Sequence, residues 1–179
     1  MTRSNVTVAV PIGTTQAYRN AGWTGFNIIE EGWKTAPEIG GISLIGYVGN
    51  LSGNLVIPST LYGESVVSIG PAAFANENQL LQVSLPSRIE NIGDRAFENC
   101  TNLTSVSAMD NLEHIGVRAI KDCSKLTELP TMNHLKNIGE GAFENCSSLQ
   151  RIASIPKLET IGYAAFKNCT DLELSLIHI

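Results

Sequence analysis

Four cysteines stand at Cys100, Cys123, Cys146 and Cys169, each 23 residues from the next. Thiols in a set are the first candidates for chemistry, as metal ligands, redox pairs or nucleophiles beside a base. The spacing argues against all three. It places every sulfur on one line, each in the same slot of a repeated unit, where a buried thiol acts as a small apolar residue. Neighbouring slots bring two sulfurs near each other, but parallel Cβ vectors do not suit the disulfide torsion. No Cys-x-x-Cys pair or histidine partner suggests zinc. The four thiols are therefore expected to be reduced and buried.

Other reactive types are sparse. Nucleophilic catalysis needs a histidine between a nucleophile and a carboxylate, and only His114, His134 and His178 occur. The first two fall at non-equivalent positions of adjacent units and read as solvent-facing loop residues. Glu98 and Glu144 recur within Phe-Glu-Asn-Cys, and paired carboxylates can do acid–base work. Lys121 and Lys167 fill the same slot in alternate units, so the row reads as a solvated face of alternating charge. The Ile-Gly-x-x-Ala segments lack the Lys-Ser/Thr or third glycine of a phosphate loop. The expectation is no enzyme, with no catalytic, cofactor-binding or metal residues and no cofactor.

The elements that carry these residues repeat as well. Ile-Gly-x-x-Ala-Phe begins at Ile69, Ile92, Ile138 and Ile161, and Ile115 begins a fifth copy with Ile120 in the phenylalanine slot. Units start at Leu80, Leu103, Leu126 and Leu149, with a second apolar residue at Val83, Val106, Leu129 and Ile152 and a third at Ile89, Leu112, Leu135 and Leu158. A unit this short cannot bury its apolar side alone, so neighbours must close over one another as a solenoid. Segments such as Leu103 to Val106 fit short strands paired in parallel, about 4.8 Å apart. Gly93 and its equivalents suit a sharp turn, with φ > 0 and close backbone approach. Phe74, Phe97, Phe143 and Phe166 should stack as a spine that Ile120 interrupts, making the Leu103–Lys125 unit the loosest rung. Asn76, Asn99, Asp122, Asn145 and Asn168 share a slot where an Asx side chain can bond the turn backbone. Six Asn-x-Ser/Thr triplets occur, at Asn5, Asn50, Asn99, Asn102, Asn145 and Asn168, three of them from the repeated Asn-Cys-Ser/Thr alone, and the structural reading of them outweighs glycosylation.

This pattern resembles the BspA-type leucine-rich-repeat family, on the match of Leu80 to Pro86 followed by Ile92-Gly-Asp-Arg-Ala-Phe-Glu-Asn-Cys100. Later units depart where Leu85-Pro86 becomes Ala108-Met109, Thr131-Met132 and Ser154-Ile155. The resemblance covers about residues 42 to 173. It implies an α/β solenoid of 23-residue units, with short parallel strands, short helical turns and a β-rich start. Residues 42–173 read as the array, with the β-rich start over 42–68 and repeats over 69–173. Residues 1–31 are similar to the segment that closes such an array: a strand, a helix capped by Thr14 or Thr15, and a final strand. Tyr18, Trp23 and Phe26 would cover the end of a preceding array. Residues 32–41, with Pro37 and Gly40-Gly41, read as a linker. The pattern dissolves from Leu174, with Ser175 where an apolar residue belongs, and 174–179 reads as sequencing-adapter read-through.

A net charge of −5 argues against nucleic acid and anionic membrane surfaces, which call for basic patches. No stretch reaches the roughly 18 apolar residues of a spanning helix, so no membrane insertion is expected. One surface remains for function, the outward face of the strands. It carries Gln82, Ser84, Thr104, Ser105, Ser107, Thr127, Glu128, Gln150 and Arg151, beside Leu81, Pro130 and Ala153. Only Arg151 is of a type common in binding hot spots. The resemblance implies a non-catalytic protein-binding module, extracellular or on the cell surface, attaching to proteins or glycans of host or microbe. An architectural stalk, or an accessory module of an enzyme, are the alternatives.

Overall fold

The computed structural model describes residues 7–11, 15–22 and 27–173. A strand β1 (Thr7–Pro11), a helix α1 (Thr15–Asn20) and a long strand β2 (Asn27–Glu38) come first, with β1 parallel to β2. Helix α1 starts at Thr15; Thr14, Trp23 and Phe26 lie outside the described residues, as does the 174–179 segment. Among the described residues no helix is long and apolar enough to cross a membrane.

The linker expectation is corrected. Residues 32–38 belong to β2, which pairs antiparallel with β3 (Gly41–Val48) across the Ile39-Gly40 turn. The composition that suggested a linker, Pro37 followed by paired glycines, is that of an edge-compatible strand running into a tight turn. Strands β4 (Gly53–Val56), β5 (Thr60–Leu61) and β6 (Glu64–Ile69) follow, the last two as a hairpin.

From there two strands recur in each unit. One row is β7 (Leu80–Ser84), β9 (Ser105–Ser107), β11 (Glu128–Leu129) and β13 (Arg151–Ile152). The other is β8 (Asn91–Ile92), β10 (His114–Ile115), β12 (Asn137–Ile138) and β14 (Thr160–Ile161). The first row extends β4 into a five-stranded sheet, and the second extends β3 and β6 into a nine-stranded one. Within both rows each strand pairs in parallel with its copy 23 residues away, as in Val83 with Val106 and Ile115 with Ile138. The core lies between the sheets, with Leu103, Leu112, Leu126, Leu135 and Leu149 fully buried.

The solenoid of 23-residue units with short parallel strands is as expected, and the third wall corrects its helical turns and with them the α/β label. The segments after each Ile-Gly were expected to be helical turns, but no helix lies among them. Ala72, Arg95, Arg118, Gly141 and Ala164 have φ between 52° and 58°, and Asn76, Asn99, Asp122, Asn145 and Asn168 between 60° and 66°. Two left-handed residues four apart reverse the winding before a helical turn can continue. The backbone groups divide instead. Ala73, Ala75 and Glu77 donate within their own turn, to Gly70, Ala72 and Phe74; Ala72, Phe74 and Asn76 donate across at 2.8 Å to Asp94, Ala96 and Glu98 of the next unit. The fold is a parallel β-solenoid with three hydrogen-bonded walls.

The glycines of the motif are not the left-handed residues. Gly93, Gly116, Gly139 and Gly162 are needed for close approach: a Cβ on Gly139 would lie 2.5 Å from the carbonyl carbon of Gly116 and 2.6 Å from the amide nitrogen of Val117. Phe74 stacks on Phe97 at 5.3 Å and Phe143 on Phe166 at 5.2 Å. Ile120 sits between these pairs and is fully buried, so the interruption leaves no exposed gap. At the start of the spine, Trp33 of β2 meets Phe74 edge-on at 6.3 Å and Tyr47 of β3 at 5.2 Å. The hairpin thus caps the array with aromatic rings, a task terminal units must perform.

Candidate binding surface

The outward face of the five-stranded sheet is set by the pleat. Leu80, Val83, Val106, Leu129 and Ile152 point into the core, and the residues beside them point out. Copies 23 apart become neighbours along the solenoid, so each outward position forms a row. The rows run Thr104–Thr127–Gln150, Gln82–Ser105–Glu128–Arg151 and Ser84–Ser107, as the repeat implied.

The hydroxyls of these rows do not all face a partner freely. Thr104 Oγ1 donates to the Leu81 carbonyl at 2.8 Å, Thr127 Oγ1 to that of Thr104 at 3.4 Å, and Ser107 Oγ to that of Val83 at 3.5 Å. Gln82, Ser105 and Gln150 carry side chains without such bonds, Gln82 and Gln150 on exposed ground. Arg151 meets Glu128 at 2.6 Å, both more than half exposed. This pair lines an open depression of about 530 Å³ together with Leu129, Pro130, Thr131, Ile152 and Ala153. The pair spends one guanidinium edge on Glu128. The remaining donors of Arg151, in a depression it shares with Pro130 and Ala153, can take a carboxylate, an amide or a sugar hydroxyl.

The opposite, nine-stranded sheet carries a face the sequence reading passed over. Immediately before its two-residue strands runs the row Glu90, Glu113, Lys136 and Glu159, with Lys136 Nζ 2.6 Å from Glu113. The Lys136 ammonium holds the Glu113 carboxyl below its usual range, and Glu113 holds Lys136 above its own. A smaller depression of about 220 Å³ opens here between Arg88, Glu113 and His134. The signal was present in sequence, since Glu90, Glu113, Lys136 and Glu159 are also 23 apart. It was missed because only the Leu103 to Val106 type of segment was read as a strand, and Asn91-Ile92 and its copies were given no element.

The groups considered for catalysis are bound into the ladders. The Cys100, Cys123 and Cys146 thiols are buried, unbridged, and donate to the carbonyls of Phe74, Phe97 and Ile120 at 3.1–3.2 Å. Cys169, half-buried at the last described unit, donates to Phe143 at 3.1 Å, and burial pushes its thiol up to about 11. Burial pushes Cys146 up further. The His114 ring contacts the Asn137 amide at 2.8 Å, and His134 Nδ1 the Asp110 carbonyl at 3.1 Å. Glu144, only 16% exposed, lies between Lys121 at 2.9 Å and Lys167 at 3.3 Å; these ammonium groups, Lys121 first, hold its carboxyl below the usual range. The alternating row is thus an ion-pair ladder, less solvated than expected. The asparagine slot bonds along the stack as well, Asn99 Nδ2 to Asn76 Oδ1 at 2.8 Å and Asn168 Nδ2 to Asn145 Oδ1 at 2.7 Å.

Comparison with known proteins gives a consistent picture. The family model described as BspA type leucine rich repeat region matches residues 54–175 in six copies. No curated protein matches. Among solved structures, the leucine-rich repeat protein TpLRR of T. pallidum superposes with a TM-score of 0.73 at 32% identity, over 79% of this chain and 66% of its own. A leucine rich cell surface protein of Faecalibacterium prausnitzii gives 0.56 at 23% identity, over 79% of this chain and 52% of its own. The pneumococcal vaccine antigen PcpA gives 0.57 at 22%, over 79% of this chain and 40% of its own. The last two likenesses are of fold. The chain spans from two-fifths to just under two-thirds of these proteins.

Proposed function

The chain belongs to the BspA-type leucine-rich repeat family, and from this premise we propose that it is a non-catalytic binding module of a secreted or cell-surface bacterial protein. Its role is attachment to protein or glycan on host or microbial surfaces, through the outward face of the five-stranded sheet. The observation that supports this reading is the Glu128–Arg151 pair lining an open depression with Pro130 and Ala153. A rigid ladder holds both charges in place, so a partner is met without loss of backbone entropy.

The test is binding to immobilised matrix proteins and a glycan array, read by interferometry, with a Ser105→Asp/Gln150→Asp/Arg151→Ala variant. These three side chains make no bond to the ladder carbonyls, so the fold survives and partner binding is lost. Thr127 is unsuitable for such a change because its hydroxyl closes on Thr104. If the triple variant binds as the native chain does and Glu113→Lys does not bind, the opposite sheet is the site. The spacer reading has its own support, in the Thr104, Thr127 and Ser107 hydroxyls already consumed along the ladder. Absence of binding across the panel favours it.

A further inference from the structure

Five of the six Asn-x-Ser/Thr triplets lie among the described residues, and the structure divides them sharply. In the four that fall within the repeat, both groups that define the triplet are engaged with the preceding unit. Asn99 Nδ2 donates to Asn76, and Thr101 Oγ1 bonds Asn78 Oδ1 at 2.9 Å. Asn102 Nδ2 donates to the Asn78 carbonyl at 2.8 Å, and Thr104 Oγ1 to that of Leu81. Asn145 Nδ2 donates to Asp122 at 2.6 Å, and Ser147 Oγ to the Ser124 carbonyl at 3.4 Å. Asn168 Nδ2 donates to Asn145, and Thr170 Oγ1 to the Ser147 carbonyl at 3.2 Å.

Asn50-Leu51-Ser52 is different. It lies in the connection between β3 and β4. Leu51 is anchored in the core at 8% exposure, while Asn50 and Ser52 on either side are exposed. Neither side chain has a hydrogen bond among the described residues. A transferase must take hold of both the amide and the hydroxyl two residues on, and among the described triplets only this one has both free.

We infer that Asn50 is an acceptor site for an N-linked glycan, the donor being an oligosaccharide carried on a lipid pyrophosphate. Asn50 Nδ2 forms a bond to the anomeric carbon and gives up one proton. The bond from that carbon to the pyrophosphate oxygen breaks, and the lipid pyrophosphate leaves; no oxidant or reductant is required. Transfer to a repeat asparagine would instead require both of its triplet's bonds to the preceding unit to open while the transferase holds the amide and the hydroxyl. This inference does not depend on which sheet binds a partner.

The experiment incubates the native chain with an oligosaccharyltransferase that accepts bare Asn-x-Ser/Thr and with its lipid-linked donor. Intact mass and glycopeptide mapping give the readout, and a free Asn-Leu-Ser peptide in the same tube shows that the enzyme works. Among Asn50, Asn99, Asn102, Asn145 and Asn168, the expected result is a glycan mapped to Asn50 alone, absent from Asn50→Gln and from Ser52→Ala. An unmodified native chain beside a modified peptide overturns the inference. So does occupancy of Asn99, Asn102, Asn145 or Asn168 on the folded protein that equals or exceeds that at Asn50.

Discussion

Two glycines two residues apart, Gly139 and Gly141, should respond to very different degrees to the same added methyl. Gly141 has the left-handed φ of +58°, which L residues rarely adopt, whereas Gly139 does not lie in that region. A reading from φ alone would make Gly141 the irreplaceable residue. The space says otherwise. A Cβ on Gly141 meets nothing nearer than Glu144 Oε2 at 3.4 Å, and alanine already holds the equivalent slot at Ala72 and Ala164. Left-handed strain costs about 1–2 kcal/mol, and a less flexible unfolded chain returns about 0.4–1 kcal/mol. Gly141→Ala should therefore lose about 1 kcal/mol or less. A Cβ on Gly139 meets three main-chain atoms of the neighbouring unit at 2.5–2.6 Å, about 1 Å inside ordinary carbon contact. Relief requires the two units to part. The bonds Gly139 to Ile115, Arg118 to Glu140 and Ile120 to Ala142, at 2.7–2.9 Å, span that gap. At about 1 kcal/mol for each bond, Gly139→Ala should cost about 3 kcal/mol, or a fall in Tm of about 6–12 °C for a chain of this size. Urea unfolding of both variants measures the difference. A Gly139→Ala loss below that of Gly141→Ala would refute the close-approach argument.

The thiols and the ion-pair ladder supply two pH predictions. Cys169 has its pKa raised from 9.0 to about 11, so the unfolded chain releases its proton first. Its contribution to stability is full below pH 9 and fades as pH rises toward 11, and iodoacetamide labelling of the native chain should begin at Cys169 in that window while Cys123 and Cys146 wait for denaturant. Labelling of Cys146 before Cys169 would contradict the burial order. Glu144 has its carboxyl lowered by Lys121 and Lys167, so it stabilises above its ordinary 4.5 and that stability is lost as pH falls below it. Glu144→Gln should flatten the acid limb of a thermal-melt series, and an unchanged limb would mean the ladder contributes nothing. Phe143→Ala removes a ring stacked at 5.2 Å and fully buried, and should cost about 3–5 kcal/mol by urea unfolding.

The period of 23 carried most of the fold into the sequence. It fixed which residues become neighbours, so the leucine and isoleucine columns, the phenylalanine stack and the thiol line could be named before any coordinate. What the period could not show is the path of the chain within one unit. The stretch after Ile92-Gly93 has the length and alanine content of a helical turn. It winds otherwise because Arg95 and Asn99 take left-handed φ, which no propensity of arginine announces. The same ambiguity hid the second sheet: Asn91-Ile92 is a two-residue strand, too short for alternation to reveal and held by its copies rather than by its own composition. Pro37 and the paired glycines misled for a related reason, marking a hairpin in a sheet edge where a linker would carry the same residues.

The candidate surface was legible as a set of positions and illegible as a site. Alternation about Val83, Val106, Leu129 and Ile152 gives the outward residues, and the structure keeps all nine on that face. Which of them remain available is a property of the hydrogen bonds between units. Thr104 and Ser105 are adjacent, both hydroxylic and both half-buried, yet Thr104 closes on the Leu81 carbonyl and Ser105 does not. The difference arises because a residue's partner in a solenoid is its own copy's backbone. A hydroxyl at the right height therefore extends the ladder and ceases to be a ligand contact. The same rule spares Asn50, which lies outside the repeated part and has no copy below it to bond. In this fold a polar side chain is free for outside partners where periodicity fails as at Asn50, where it does not close on a ladder carbonyl as at Gln82, Ser105 and Gln150, or where it has donors left over from its copy as Arg151 has beside Glu128. Those are the places where its chemistry should be sought.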